Sequence, residues 1–156
     1  MEVILLNLNK TKNQNLKNLI DEYDKRINHY VKFSNITISG FKNLKKLSPS
    51  FQKEKEADLI LKQIKNGDLF ILLDEKGPCL DSKEFSRFLN KKYNSNFRRI
   101  VFVIGGAYGF AESIISLKFE KLSLSKMTFT HQMTSLFFCE QLYRANTILK
   151  NEKYHH

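Results

Sequence analysis

The sequence predicts an α/β domain, a mostly parallel sheet flanked by helices. Three observations predict it. Short runs dense in Val, Ile, Leu and Phe alternate with stretches whose apolar residues recur every three or four positions. The short runs do not alternate apolar with polar, as expected of strands buried on both faces. The pattern continues almost without a break through 156 residues, with no repeat, linker or low-complexity tract. That leaves room for one domain over residues 1–156, which buries roughly 70% of its unfolded surface.

Residues 2–8 form the first strand by their density of Val, Ile and Leu. Over residues 13–30, Leu16, Leu19, Ile20, Tyr23, Ile27 and Tyr30 mark an amphipathic helix. Residues 35–39 form a second, short strand, and the basic stretch 40–50, with Lys42, Lys45 and Lys46, reads as a loop. Pro49 or Ser50 opens a helix running to about Ile64. After the Asn66-Gly67-Asp68 turn, residues 69–73 form the third strand, which ends at Asp74-Glu75-Lys76-Gly77-Pro78. Ser82 caps a helix with Phe85, Phe88 and Leu89 on one face. Arg98-Arg99 precede the fourth strand, 100–104, which ends at Gly105-Gly106. An irregular or helical stretch reaches about Phe119, residues 121–123 form a fifth strand, and residues 130–149 form a long final helix.

The chain carries 26 basic and 16 acidic side chains, a net charge of +10. Such an excess attracts polyanions, nucleic acid first among them, although a merely soluble, lysine-rich surface has the same balance. No apolar run approaches the ~20 residues of a membrane span. The opening Met1-Glu2-Val3-Ile4-Leu5-Leu6 is too short and wrongly flanked for a signal peptide, so a cytoplasmic protein without membrane contact is expected. Cys79 and Cys139 are far apart; no disulfide is expected in a reducing compartment, and neither has metal-ligand spacing.

Ligands of open parallel sheets bind beyond the carboxyl ends of the strands. Three such ends stand out: Leu73 to Gly77, Gly105-Gly106-Ala107-Tyr108-Gly109, and Leu124-Ser125-Lys126-Met127-Thr128-Phe129. The glycines suit either a cofactor loop or a tight strand-to-helix turn. Their spacing is not that of a dinucleotide fingerprint, and no acidic residue follows at the required distance. Leu73, Leu124, Met127 and Phe129 supply either apolar walls for a cofactor or ordinary core.

The final helix carries Met133, Leu136, Phe137, Phe138, Leu142, Tyr143, Ala145, Ile148 and Leu149, more than one apolar stripe. It is either a subunit interface or a central core helix. Arg144 within it needs a partner: a phosphate, a carboxylate, or Glu140 four residues earlier. His131 and the tail Tyr154-His155-His156 offer groups for base chemistry, phosphate contact and stacking, against a purely structural reading.

These segments carry a resemblance. Phe102-Val103-Ile104-Gly105-Gly106-Ala107-Tyr108-Gly109, the run from Leu122 through Thr130-His131-Gln132-Met133, Glu140-Gln141-Leu142-Tyr143-Arg144-Ala145 and the ending Tyr154-His155-His156 resemble the ribosomal large-subunit pseudouridine N3-methyltransferase family, compact SPOUT enzymes. The resemblance extends over the whole chain. It implies a C-terminal trefoil knot, a homodimer and S-adenosylmethionine as cofactor. It implies ribosomal RNA as partner, and the RNA site is built across two subunits. By the same resemblance Leu73, Gly105, Gly106, Leu124, Ser125, Lys126, Met127, Thr128 and Phe129 hold the cofactor. His131, Arg144, Tyr154 and His155 serve RNA binding or catalysis, and no metal is required. Two positions depart from the family: Ser135 stands where an arginine is usual, and Pro78 where a lysine is common. The rival readings are a SPOUT methyltransferase acting on another RNA and a non-catalytic RNA-binding assembly factor.

Overall fold

The computed structural model describes residues 1–38 and 46–156. Five strands, β1 (Glu2–Asn7), β2 (Lys32–Thr37), β3 (Asp68–Leu73), β4 (Arg99–Ile104) and β5 (Glu120–Leu122), form one sheet in the order β2-β1-β4-β3-β5. Every pairing is parallel. Helices α1 (Gln14–Ile27), α3 (Ser82–Tyr93) and α5 (His131–Leu149) cover one face. Helices α2 (Pro49–Leu61) and α4 (Glu112–Ile115) cover the other.

Burial on both faces explains why the strands lack an alternating pattern. Val3, Leu5, Ile100, Phe102 and Ile71 pack under α1, α3 and α5, while their neighbours Ile4, Leu6, Val101, Val103 and Leu72 pack under α2 and α4. A fully buried side chain of this size is worth about 1.5–3 kcal/mol, so the central strands anchor both layers.

The element boundaries hold with local shifts. Strand β2 begins at Lys32, three residues earlier than expected. It pairs only with β1, and Phe33 is its one buried residue, so it carries little apolar signal. Its start is pinned by Asn28, whose Oδ1 accepts from Phe33 N–H at 3.0 Å and whose Nδ2 donates to Phe33 O at 3.1 Å. The expected end at Ser39 and the loop residues Lys42 and Lys45 lie outside the described residues. The cap of α3 is Asp81, not Ser82: Asp81 accepts from Glu84 N–H while Glu84 accepts from Asp81 N–H, a reciprocal pair that holds two donors.

The long helix α5 is more a core element than its apolar breadth implied. Phe138, Cys139, Leu142 and Ala145 are buried between α1 and α3. What stays open is a smaller patch at its start, where Phe137 meets Phe129 at 4.9 Å between ring centroids and Met127 is 74% exposed.

Candidate functional site

The carboxyl ends of β3, β4 and β5 lie side by side, because these three strands neighbour one another in a parallel sheet. The β3–α3 loop crosses β5. Asp74 N–H donates to Leu122 O at 3.0 Å, and Ser123 N–H donates to Pro78 O at 2.9 Å. Gly77 is the contact point: a side chain there would meet the backbone of Leu122 and Lys121 at 2.7–2.9 Å. The sequence placed Gly77 only in the segment that ends β3; tertiary contact is what excludes any other residue. Asp74 pairs with Lys121 at 2.9 Å. Burial pushes its carboxyl up, but the bonds from Lys121 and from Lys76 N–H prevail and hold it below the usual range.

The β4 end is a tight turn. Gly109 takes a left-handed φ of +75° and its N–H donates to Gly106 O at 3.1 Å. The side-chain spaces of the other two glycines are filled from α2 and α4's side of the sheet. A Cβ on Gly105 would touch the Phe110 ring at 3.2 Å, and one on Gly106 would collide with the Glu56 carboxyl at 2.1 Å.

The β5 end is shaped by its own hydroxyls. Ser123 Oγ donates to Ser125 O at 2.8 Å, and Ser125 Oγ accepts from Met127 N–H at 2.9 Å. Thr128 Oγ1 reaches Glu75 Oε2 at 3.3 Å, tying this segment to the β3 end. A cleft of about 460 Å³ opens here. Leu124, Ser125 and Phe129, which the resemblance assigns to the cofactor, line it. Leu73, Gly105, Gly106, Lys126, Met127 and Thr128 lie outside its walls. Asp81, Ser82 and Gln141 form a polar side of the cleft that the sequence reading missed. Ser82 Oγ donates to Gln141 Oε1 at 2.7 Å, joining α3 to α5. The serine was legible only as a helix start; its second role depends on a residue 59 positions away.

Beside the cleft, Gln132 Oε1 accepts both Lys12 N–H at 2.8 Å and Asn13 N–H at 3.0 Å. His131 Nε2 lies 3.4 Å from Lys10 O. The loop after β1, with exposed Lys10 and Lys12, is thereby held against the start of α5.

Arg144 and the tail are elsewhere. Arg144 pairs with Glu140, its Nε donating at 3.0 Å, which is the intrahelical alternative considered for it. Its guanidinium lies 4.6 Å over the Tyr154 ring. Tyr154 also packs on Tyr143 at 4.7 Å and its hydroxyl reaches Glu140 at 3.2 Å and Tyr23 at 3.4 Å. Burial, then the Tyr23 and Glu140 contacts, raise its phenol well above the ordinary value. The tail is therefore not a loose end: Tyr154 and His155 are both half-buried, Tyr154 rests on Tyr23, Tyr143 and Glu140, and Tyr30 Oη donates to Glu152. His131 and Arg144 stand thirteen positions apart on α5, or ~20 Å of helix. One chain does not bring His131, Arg144, Tyr154 and His155 together.

Ser135 is 2% exposed, and its Oγ donates to Asn7 Oδ1 at 2.8 Å. Asn7 in turn donates to Asn35 Oδ1 at 2.7 Å. Ser135 thus closes a buried polar seam. Pro78 contributes only its carbonyl to Ser123, a contact open to any residue type. Among the described residues no group of three or more His, Cys, Asp and Glu is placed to hold a metal, and no helix is long and apolar enough to cross a membrane.

A family model described as a predicted SPOUT methyltransferase matches residues 1–155. Proteins named ribosomal RNA large subunit methyltransferase H from Flavobacterium psychrophilum and Flavobacterium johnsoniae are each 53% identical to this chain, over 100% of it and 99% of their own length. The protein of that name from Parabacteroides distasonis is 49% identical over the same shares. The solved structure of the SpoU methyltransferase AviRb from Streptomyces viridochromogenes, in complex with AdoMet, covers 96% of this chain and 60% of its own. At 12% identity and a TM-score of 0.44, that likeness is too slight to carry an assignment. The match from residue 1 to residue 155 and the identity sustained over the full length place this chain in the SPOUT methyltransferase family.

Proposed function

We propose that this methyltransferase moves a methyl group from S-adenosylmethionine to N3 of a pseudouridine in large-subunit ribosomal RNA, in the cytoplasm. The observation that carries this reading is the 53% identity, along the whole chain, to a protein named ribosomal RNA large subunit methyltransferase H. The cleft supports it. Its volume is in the range of small-ligand sites. Phe85, Leu124 and Phe129 offer apolar walls to an adenine, and Asp81, Ser82 and Gln141 offer polar groups to a ribose.

The bound cofactor supplies a methyl made electrophilic by its sulfonium. The chain's residues have the remaining tasks. They orient the two reactants, and they accept the N3 proton or stabilise the anion it leaves, since an imide N–H is a poor nucleophile. The charge of +10 favours RNA phosphates.

The separation of His131 from Tyr154 supports a homodimer. Two copies related by a two-fold axis, with their α5 helices antiparallel, would set the tail of one beside residues 124–131 of the other. The exposed patch of Met127, Phe129 and Phe137 is apolar surface for such a contact. The trefoil knot belongs to the same reading; the hydrogen bonds that tie Asp74 and Pro78 to Leu122 and Ser123 support it.

The test is complementation. A copy lacking residues 154–156 and a copy carrying Gly105→Val are each expected to be inactive in tritiated-methyl transfer to ribosomes, and the mixed dimer to regain turnover. Calorimetry on each copy checks that the truncated one still binds S-adenosylmethionine. A mixture that stays inactive, or an active monomer by light scattering, overturns the shared site. Wild-type protein that fails to bind S-adenosylmethionine would leave only a non-catalytic RNA-binding role.

A further inference from the structure

We propose that Glu56 is a positioning residue for the Gly105–Gly109 turn: its carboxyl occupies the side-chain space of Gly106 and sets where the backbone beyond β4 stands. The inference rests on the assignment of Gly105 and Gly106 to the cofactor that the family resemblance implies; the turn itself lies outside the walls of the cleft.

Glu56 lies on α2, on the far side of the sheet from the cleft, and is only 4% exposed. Its Oε1 accepts from Gln52 Nε2 at 3.0 Å, and Gln52 is itself buried. Its Oε2 is buried with no hydrogen-bond partner among the described residues. A Cβ built on Gly106 falls 2.1 Å from Oε2, 2.4 Å from Oε1 and 2.5 Å from the carboxyl carbon. Those are collisions with the whole group, and Gln52 holds that group from behind. Gly106, unlike Gly109, does not have a positive φ. Backbone conformation therefore does not require glycine at 106; the carboxyl does.

A buried acid with one oxygen unsatisfied is costly, and a buried ionisable group in that condition calls for an explanation. A leucine or methionine on α2 would fill the same volume more cheaply. Burial also pushes the Glu56 carboxyl above the usual range, with the Gln52 bond opposing it. The placement explains the cost: a rigid polar stop beneath the turn fixes the backbone that follows β4, whereas a flexible apolar chain would let it settle deeper. In the sequence Glu56 reads as one more charge in the run Lys53-Glu54-Lys55-Glu56, and nothing local marks it as buried.

The test is a double-mutant cycle read by two measurements. Calorimetry with S-adenosylmethionine should show Glu56→Gln within about threefold of wild type, since the amide keeps the shape and the bond to Gln52. Glu56→Ala and Gly106→Ala should each weaken binding tenfold or more, and the Glu56→Ala/Gly106→Ala double variant should bind better than the summed losses allow, because the methyl enters the space left by the carboxyl. Amide hydrogen exchange on the ligand-free proteins reports the turn whether or not the cofactor binds. Exchange at residues 106–109 should rise in Glu56→Ala and stay near wild type in Glu56→Gln. Additive losses in the cycle, or unchanged exchange in Glu56→Ala, overturn the proposal. So does a loss in Glu56→Gln equal to that in Glu56→Ala. If exchange responds as expected while wild type binds no S-adenosylmethionine, the carboxyl sets the turn and the cofactor reading fails instead. Should Glu56→Ala not fold, Glu56→Asp withdraws the carboxyl by one methylene and must relieve Gly106→Ala in the same way.

Discussion

The two ends of α5 are held by different kinds of interaction. At its start, main-chain groups do the fixing: Gln132 takes two backbone N–H groups from the loop after β1, and the neighbouring β3–α3 loop lies on the β5 backbone at Gly77. At its end, side chains hold one another: Arg144, Glu140, Tyr143 and Tyr154 form a cluster of rings and one ion pair. Backbone contacts specify one geometry and tolerate no added atom. A side-chain cluster on a half-exposed surface is cheap to open, as the proposed service of the tail to a second copy requires.

The largest break is expected at Gly77. Gly77→Ala drives a methyl into the Leu122 backbone, and the stability loss should reach about 3 kcal/mol by thermal or denaturant unfolding. A loss below about 1 kcal/mol would show that the crossing can relax.

The middle of α5 comes next. Asp24 on α1 accepts a weak bond from Cys139 Sγ at 3.5 Å, and its pKa is pushed up to about 6 from 3.8, mainly by burial, with Asp21 adding and the Cys139 and Asn35 bonds opposing. The folded chain thus holds this proton more tightly than the unfolded one. Its contribution is fully present below about pH 3.8 and is lost as pH rises to about 6. Asp24→Asn should remove that loss and stabilise the protein at pH 7 by about 1–2 kcal/mol after allowance for partial exposure. The gain should vanish at pH 4. A pH-independent difference between the two proteins would refute the titration.

Gln132→Ala should cost about 1 kcal/mol, because the two freed N–H groups lie where water can reach them. The same variant releases Lys10 and Lys12, so RNA affinity should fall while S-adenosylmethionine binding is kept. Filter binding and calorimetry on one preparation check both.

The smallest stability effect is expected at the tail. Tyr154→Phe removes hydroxyl contacts on a partly open surface and should shift stability by no more than about 0.5 kcal/mol. A loss above about 2 kcal/mol would make the cluster a structural anchor and end the contrast between the two ends of α5.

The strands and helices were legible because burial on two faces and a 3.6-residue stripe are properties of a local window. Strand β2 was misplaced because an edge strand with one buried residue has almost no such signal. The cleft was half legible. Leu124, Ser125 and Phe129 sit in one continuous segment whose composition drew notice. Asp81, Ser82 and Gln141 come from two helices and look like ordinary surface polarity until α3 and α5 are packed.

The glycines divide the same way. The amino-acid order alone determined that Gly105-Gly106-x-x-Gly109 follows a buried strand, as either a cofactor loop or a tight turn, and that the tail is aromatic and polar. Only the tertiary structure decided why each glycine is needed: Gly109 for its left-handed φ, Gly77 for the Leu122 backbone, Gly105 for the Phe110 ring and Gly106 for the Glu56 carboxyl. Local sequence encodes which conformations a residue can adopt. It does not encode which distant atom will arrive in the space a side chain would have filled, because that is fixed by how the layers pack.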